Sequence, residues 1–284
     1  MYGRVRPRSW PASGIVSVEY AAPETVEDAC RALAKEDARC LAGGQSLVAM
    51  MNLGLVAPSR VVSLRRIAEL RGAQQFGDGS VRIGAMTTHD QVAHLRFDGS
   101  LAALLAKTAQ VVAYPAIRAW GTIGGSVAHA DPAADYPVAL VAANAEVEVA
   151  GLSRRRRVPA RQFFRGFFAT ALEPGEIVTA VHLPRGTVNE RAHYEKLSLV
   201  AGDFAILSVA VLVGRTAEIA IGTCTGTPLH RTLADTSDDG VRAAARAIAM
   251  SEAFPSDSRA SDTYRRRVLP ALVLRAIRAA QGDA

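Results

Sequence analysis

Cysteine is scarce: Cys30, Cys40 and Cys224 are the only three in 284 residues, an odd count without CxxC spacing. This excludes a disulfide framework and gives no sign of a zinc or iron-sulfur site on this chain. Aromatic residues are few, at 6%, and none is interleaved with the arginines of three basic clusters, Arg4, Arg6 and Arg8, Arg154 to Arg157, and Arg265 to Arg267. Single-stranded nucleic acid needs such stacking platforms, so the net charge of +6 is read as solvated faces or docking surfaces, not as a nucleic-acid site. No run reaches the roughly 18 to 20 apolar residues of a membrane span. The opening MYGRVRPRSWPASG lacks the apolar core of a secretory signal, which makes a cytoplasmic location the default expectation. Also missing are GxxxxGK[ST] and a GxGxxG that opens a helix, which disfavours a nucleoside triphosphatase or an ordinary Rossmann dehydrogenase.

What is present is 49% hydrophobic content in a chain long enough for two domains or one divided domain. Strand alternation at 15 to 20 precedes a helical face of Val26, Cys30, Leu33 and Ala34. Residues 39 to 42 lead into GGQS, a short helix is expected through 46 to 52, and 60 to 64 is a strand. A second run contains a strand at 81 to 85, a cap at Thr87 or Thr88, a helix from about Ser100 to Val112, a helix after Asp131, and strands at 145 to 150 and 176 to 183. Strands at 191 to 199, 204 to 213 and 217 to 223 and then helices at 239 to 250 and 261 to 280 close the chain, with Pro270 expected to kink or split the last helix. This order gives an α+β fold with lobes at residues 1 to 64 and 65 to 184 and a separate α+β domain at 185 to 284.

Two glycine loops carry the chemistry. Leu41-Ala42-Gly43-Gly44-Gln45-Ser46-Leu47-Val48 follows a strand, where residues without Cβ let successive backbone N–H groups converge on an anion. Thr122-Ile123-Gly124-Gly125-Ser126 repeats the device about eighty residues later, flanked by two hydroxyls. One glycine pair is more often a plain tight turn; two in adjacent lobes suit a diphosphate.

Taken in order, AGGQS, TIGGS, HADPAADYP (129 to 137), FFRGFFATALEPGEIVTAV (163 to 181), YEKLSLVAGDFAILSVAV (194 to 211) and SDTYRRRVLPALVLRAI (261 to 277) resemble the FAD-binding subunit of molybdenum hydroxylases. That family includes the medium subunit of molybdenum carbon monoxide dehydrogenase and the flavin domain of xanthine dehydrogenase, and the likeness runs almost end to end. It implies a two-lobed PCMH-type (vanillyl-alcohol-oxidase-like) FAD-binding fold with a C-terminal α+β domain. It further implies FAD held by Leu41 through Val48 and Thr122 through Ser126, with Asp135, Val178 and Lys196 as further contacts. The molybdenum cofactor and [2Fe-2S] clusters are then expected on a large and a small partner subunit, in a heterotrimer that dimerises and passes electrons to NAD⁺, a quinone or oxygen. One departure is Arg118-Ala119-Trp120, where relatives commonly carry Arg-Asn-Arg; it bears on packing beside the second loop.

Other candidates receive plainer readings. His129, Asp131 and Asp135 lack diagnostic metal spacing, and Asp131 is expected to cap a helix. His89 and His94 are read as surface or cap residues. Phe163, Phe164, Phe167 and Phe168 are read as core. Arg154 to Arg157 suggests a charged hairpin or edge strand, with docking of an acidic partner as the alternative. Two rival functions stay open: an autonomous flavin oxidoreductase, which needs its own substrate site, and a cofactor-free scaffold subunit. No nucleophile, base and orienting carboxylate stand at a recognisable spacing to support the first.

Overall fold

The computed structural model describes residues 18–187 and 189–282. Arg4, Arg6, Arg8 and the first half of the expected strand at 15 to 20 lie outside the described residues.

The N-terminal part contains β1 (Glu19–Ala21), α1 (Val26–Leu33), β2 (Ala38–Leu41), α2 (Leu47–Asn52) and β3 (Arg60–Ser63). Its three strands form a parallel sheet in the order β1-β3-β2. Thr25 starts α1 by accepting the Asp28 N–H, one of the donors a helix start leaves unpaired. Val26, Ala29 and Cys30 then face Val62 and Leu64 in a small core. By contrast α2, composed of LVAMMN, buries none of its side chains among the described residues.

The next part runs through β4 (Ala73–Gln75), β5 (Val81–Gly84), α3 (His89–Ala93), α4 (Ser100–Gln110), α5 (Pro115–Arg118), α6 (Ile123–His129), α7 (Asp135–Ala142), β6 (Glu146–Ala150), β7 (Arg155–Pro159), α8 (Ala160–Phe163), β8 (Phe164–Gly166), β9 (Ala169–Thr170) and β10 (Ile177–Leu183). Five strands make an antiparallel sheet in the order β4-β5-β10-β6-β7, with β10 central and buried throughout. Thr88 and Gln91 form a reciprocal capping box at the start of α3.

The arginine run forms the edge strand β7 and the turn before it, and each arginine meets a glutamate of the same chain: Arg154–Glu173, Arg155–Glu69, Arg156–Glu176 and Arg157–Glu146. These pairings satisfy the run internally and leave the docking alternative without support. On the neighbouring strands, Glu148 accepts from Thr179 at 2.7 Å and pairs with His182 at 2.7 Å and Arg82 at 3.4 Å.

The last part is a four-stranded antiparallel meander, β11 (Arg191–Leu197), β12 (Leu207–Val213), β13 (Ala217–Gly222) and β14 (Leu229–Leu233), followed by α9 (Asp238–Ser251) and α10 (Asp262–Gln281). The period of two splits β12 between two cores. Leu207, Val209 and Val211 pack with Leu269, Val273 and Ile277 of α10, whereas Ala210 and Leu212 join Leu104, Val138 and Phe163 on the other side. The meander is thus a middle layer, with α9 and α10 on one face and α4 and α7 on the other.

Four local expectations need correction. Pro270 does not split α10, which continues from Asp262 to Gln281; burial of Leu269, Leu272 and Val273 against the meander holds the helix together across it. Arg265 is not on a solvated face but fully buried, its guanidinium donating to Ile206 O at 3.0 Å, to Ala260 O at 2.9 Å, to Pro255 O and to Asp257 Oδ1 at 2.9 Å. Asp131 caps a turn by accepting the Ala133 N–H, and α7 begins only at Asp135. Of the four phenylalanines, Phe163 and Phe164 are core, while Phe167 and Phe168 are more than half exposed on the β8–β9 turn, where Phe168 takes φ 52°.

Candidate functional site

A cavity of about 580 Å³ opens where the N-terminal sheet, the five-stranded sheet and the meander meet. The first glycine loop supplies Ala42 to Leu47, the second supplies Thr122, Gly124, Gly125 and Ser126, and Asp135, Val178 and Lys196 complete the expected set. Leu41 and Val48 face a second cavity of about 440 Å³ on the other side of the first loop, together with Ala42, Gly43, Gly44 and Trp120. Ile123 is fully buried in the main core.

The two loops touch. A Cβ on Gly43 would lie 2.1 Å from the carbonyl oxygen of Trp120, so glycine there lets the first loop rest on the backbone that leads into the second. This contact uses the main chain of Trp120, whose indole is largely exposed, so the Ala119-Trp120 departure leaves it intact. Gly44 turns the chain into α2 with φ 77°, a conformation disfavoured for residues with a Cβ.

Their hydrogen bonding differs. Among the described residues, the backbone N–H groups of Gly43, Gly44, Gln45 and Ser46 have no protein acceptor, and the Gln45 side-chain amide donates to Gly43 O at 3.2 Å. The second loop is the start of a helix, and its donors are already used. Ile123 N–H donates to Thr87 O, Gly124 N–H to Ala85 O, Gly125 N–H to the Thr122 hydroxyl and Ser126 N–H to Thr122 O. The expectation of two equivalent N–H cradles therefore changes. The first loop offers an open cradle; the second offers small Cα surfaces and two hydroxyls. Gly124 is glycine because a Cβ would lie 2.4 Å from that of Ala85, which concerns packing of α6 on the end of β5.

Asp135 and Lys196 meet at one wall. Lys196 Nζ is 3.1 Å from Asp135 Oδ2 and 3.1 Å from Val111 O, and the Tyr194 hydroxyl donates to Asp135 Oδ1 at 2.7 Å. Burial pushes the Asp135 carboxyl up from its ordinary value, and the Lys196 charge and Tyr194 hydrogen bond oppose that rise.

His89 was read from sequence as a surface or cap residue, and the structure corrects this: it is 6% exposed and lines the cavity. Its burial, with the nearby Arg118 charge, depresses the imidazole to about 4, so the ring is neutral at pH 7. Thr88 as a helix cap was a usable signal for the backbone at this point. The burial of His89 comes from Tyr136, 47 positions away, which no local pattern reveals. His94, by contrast, is exposed. Met50, Met86, Tyr114 and Phe204 also line the cavity and carried no sequence signal.

The residues suit a long ligand with an anionic centre: free N–H groups at one loop, no room for a side chain at Gly43, and the buried Lys196 ammonium held by the Asp135 carboxylate. Residues 16–186 match the profile of the FAD binding domain in molybdopterin dehydrogenase. The chain is 35% identical to the carbon monoxide dehydrogenase medium chain of Afipia carboxidovorans, covering 94% of this chain and 98% of that one. It is 32% identical to the nicotine 6-hydroxylase medium subunit of Paenarthrobacter nicotinovorans, over 92% and 96% of the two chains. Among solved structures, a chain of the Cu,Mo-CO dehydrogenase in its cyanide-inactivated form superposes with TM-score 0.88 at 33% identity, covering 94% of this chain and 98% of that one. Quinoline 2-oxidoreductase from Pseudomonas putida 86 gives 0.85 at 29% identity, with the same coverage. The chain belongs to the family of FAD-binding domains of molybdopterin dehydrogenases. It is a flavoprotein component of an oxidoreductase, with FAD as its cofactor.

Proposed function

We propose that this chain is the electron-relay subunit of a molybdenum hydroxylase assembly, holding FAD in the cavity between the glycine loops and the meander. The observation that carries this reading is the open row of N–H donors from Gly43 to Ser46 beside the hydroxyls of Thr122 and Ser126. The first loop would bind the diphosphate through its main chain. Gly125 would let the cofactor approach α6 closely, and Val178 would supply an apolar contact. Lys196 would place its ammonium at the flavin end, oriented by Asp135. Leu41, Val48 and Ile123 would act indirectly, by shaping the loops. FAD bound here would accept electrons one at a time and release them as a pair. The protein's own part is to bind, orient and shield it.

Relatives of nearly equal length are named as medium chains or medium subunits, which supports assembly with other polypeptides. The partners fitting this role are a large molybdopterin-binding subunit and a small [2Fe-2S] subunit, in a dimer of heterotrimers that uses NAD⁺, a quinone or oxygen as acceptor. A cytoplasmic site fits as well: no described helix is long and apolar enough to cross a membrane. Within the chain we assign residues 1 to 64 and 65 to 184 to the two FAD-binding lobes, of PCMH type, and 185 to 284 to the C-terminal domain.

The test is purification of the full chain and of the assembly it forms, with visible spectra of both. Flavin bands with stoichiometric FAD, and copurification of a chain with iron-sulfur cysteine spacing, are the expected results. A colourless chain that takes up no added FAD overturns the reading in favour of a scaffold. Substrate turnover by the chain alone overturns the relay in favour of an autonomous oxidoreductase.

A further inference from the structure

His89 combines three features: near-complete burial, a neutral ring and one nitrogen open to the cavity. Its backbone N–H donates to Gly121 O at 2.9 Å, and its ring packs so closely on Gly121 that a Cβ there would lie 2.6 Å from Nε2. Nδ1 is 3.1 Å from the hydroxyl of Tyr136, a fully buried residue. For Nε2 no protein partner exists among the described residues. Yet among the described residues no fully buried side-chain nitrogen or oxygen is left without a partner. Nε2 therefore keeps access to the cavity that His89 lines.

The tautomer follows from the buried phenol. A phenolic hydrogen needs an acceptor, and Nδ1 is the only recorded partner of the Tyr136 hydroxyl among the described residues. Tyr136 donates to Nδ1, so in a neutral ring the proton sits on Nε2. Burial and the Arg118 charge disfavour a second proton. The chain thus presents an uncharged N–H donor beside the start of the second loop, where the main-chain donors of residues 123 to 126 are already taken.

We propose that His89 is a cofactor-binding residue, donating a hydrogen bond from Nε2 to an oxygen of the bound FAD, with Tyr136 as the positioning residue that fixes its tautomer. The proposal rests on the FAD assignment above. Physically it replaces the missing donors of the second loop: α6 spends its N–H groups on Ala85 and Thr87 of the β5–α3 connection and on its own cap, and a side chain from α3 supplies the contact instead. A neutral donor suits a site that also holds the Lys196 charge, because it adds direction without adding a second cation.

The experiment measures FAD affinity of the full chain by quenching of flavin fluorescence, together with ¹⁵N spectra of histidine-labelled protein. His89→Gln keeps an amide N–H near the Nε2 position and is expected to bind within about threefold of the wild type. His89→Asn, whose amide falls short, and His89→Phe, which keeps a ring without a donor, are expected to weaken binding about tenfold, the effect of losing one net hydrogen bond. In the wild type at pH 7, His89 is expected as the Nε2–H tautomer, with a resonance that moves when FAD is added; Tyr136→Phe is expected to mix the tautomers. Wild-type affinity in a folded His89→Phe variant overturns the proposal. If that variant does not fold, the spectra decide: an Nδ1–H tautomer, an imidazolium, or a resonance unmoved by FAD overturns it. Absence of FAD binding by the wild type is a different failure and strikes the functional reading itself.

Discussion

The ammonium of Lys196 stands 3.1 Å from a carboxylate oxygen of Asp135, and both side chains are more than nine-tenths buried. The cavity wall is therefore a compensated pair, in which each partner masks the field of the other. The two single substitutions are expected to move the flavin potential in opposite directions. Lys196→Met removes the cation, exposes the carboxylate and lowers the potential; Asp135→Asn unmasks the cation and raises it. Each shift is expected to be on the order of 30 mV for a two-electron couple, equivalent to about 1.4 kcal/mol. Redox titration reads both, and shifts of the same sign would count against a shared electrostatic role.

Contact between the loops gives a second prediction. Gly43→Ala drives a Cβ into Trp120 O, and Gly124→Ala drives one into Ala85, so each is expected to cost about 1–3 kcal/mol of stability along with flavin. Gly125 meets only the Thr122 hydroxyl at 3.0 Å and Ala42 Cβ at 3.4 Å. Gly125→Ala is expected to reduce flavin content with a smaller loss of stability. Denaturant unfolding of the flavin-free proteins separates these outcomes, and full stability in Gly43→Ala would refute the need for close approach.

The Glu148 network predicts acid sensitivity. Hydrogen bonding to His182, aided by Thr179 and Arg82 and opposed by burial, lowers the Glu148 carboxyl from 4.5 to about 2. A carboxylate with a depressed folded-state value stabilises above its ordinary range, and that contribution is lost as pH falls from about 4.5 towards 2. Allowing for solvent screening, the effect is about 1–2 kcal/mol. Thermal unfolding between pH 2.5 and 6 is expected to be less steeply pH-dependent in Glu148→Gln than in the wild type; identical slopes would remove Glu148 from the cause.

Arg265 supports the C-terminal helices from inside. Replacement by Met removes donors from Ile206 O, Pro255 O, Ala260 O and Asp257 together, and leaves the Asp257 carboxylate without its main partner. A loss of about 2–3 kcal/mol is expected, from buried carbonyls deprived of this donor and not from a stranded charge, since Asp257 is partly exposed and keeps its backbone donors. Chemical unfolding checks this, and a loss below about 1 kcal/mol would assign the arginine to the exposed class that spacing alone suggests.

The strands and most helices were legible because period and caps are local properties. Thr88, one of two caps read from the sequence, begins α3, and Thr25, Ser237 and Ser261 start their helices by the same chemistry. The first glycine loop was legible for the same reason. The second was half legible: Gly124 and Gly125 read as a second N–H cradle, whereas the Thr122 cap and the approach to Ala85 make them the first turn of α6, with their N–H groups already used. His89 and Arg265 were misread because burial of a polar side chain depends on hydrogen-bond partners elsewhere in the chain, the Tyr136 hydroxyl for one and loop carbonyls for the other. The Asp135–Lys196 pairing joins α7 to β11 across 61 positions, a distance over which spacing carries no information.

Helix α2, directly behind the first glycine loop, keeps Leu47, Val48, Ala49, Met50 and Met51 all partly or wholly open to solvent, with Leu53 and Leu55 more exposed still. An oily ridge of this kind gains nothing from water and draws little cohesion from the lobe beneath it. A polypeptide made without company would carry that ridge into crowded surroundings, where self-adhesion competes with correct pairing. Good yields of well-behaved material therefore call for synthesis alongside the rest of its assembly.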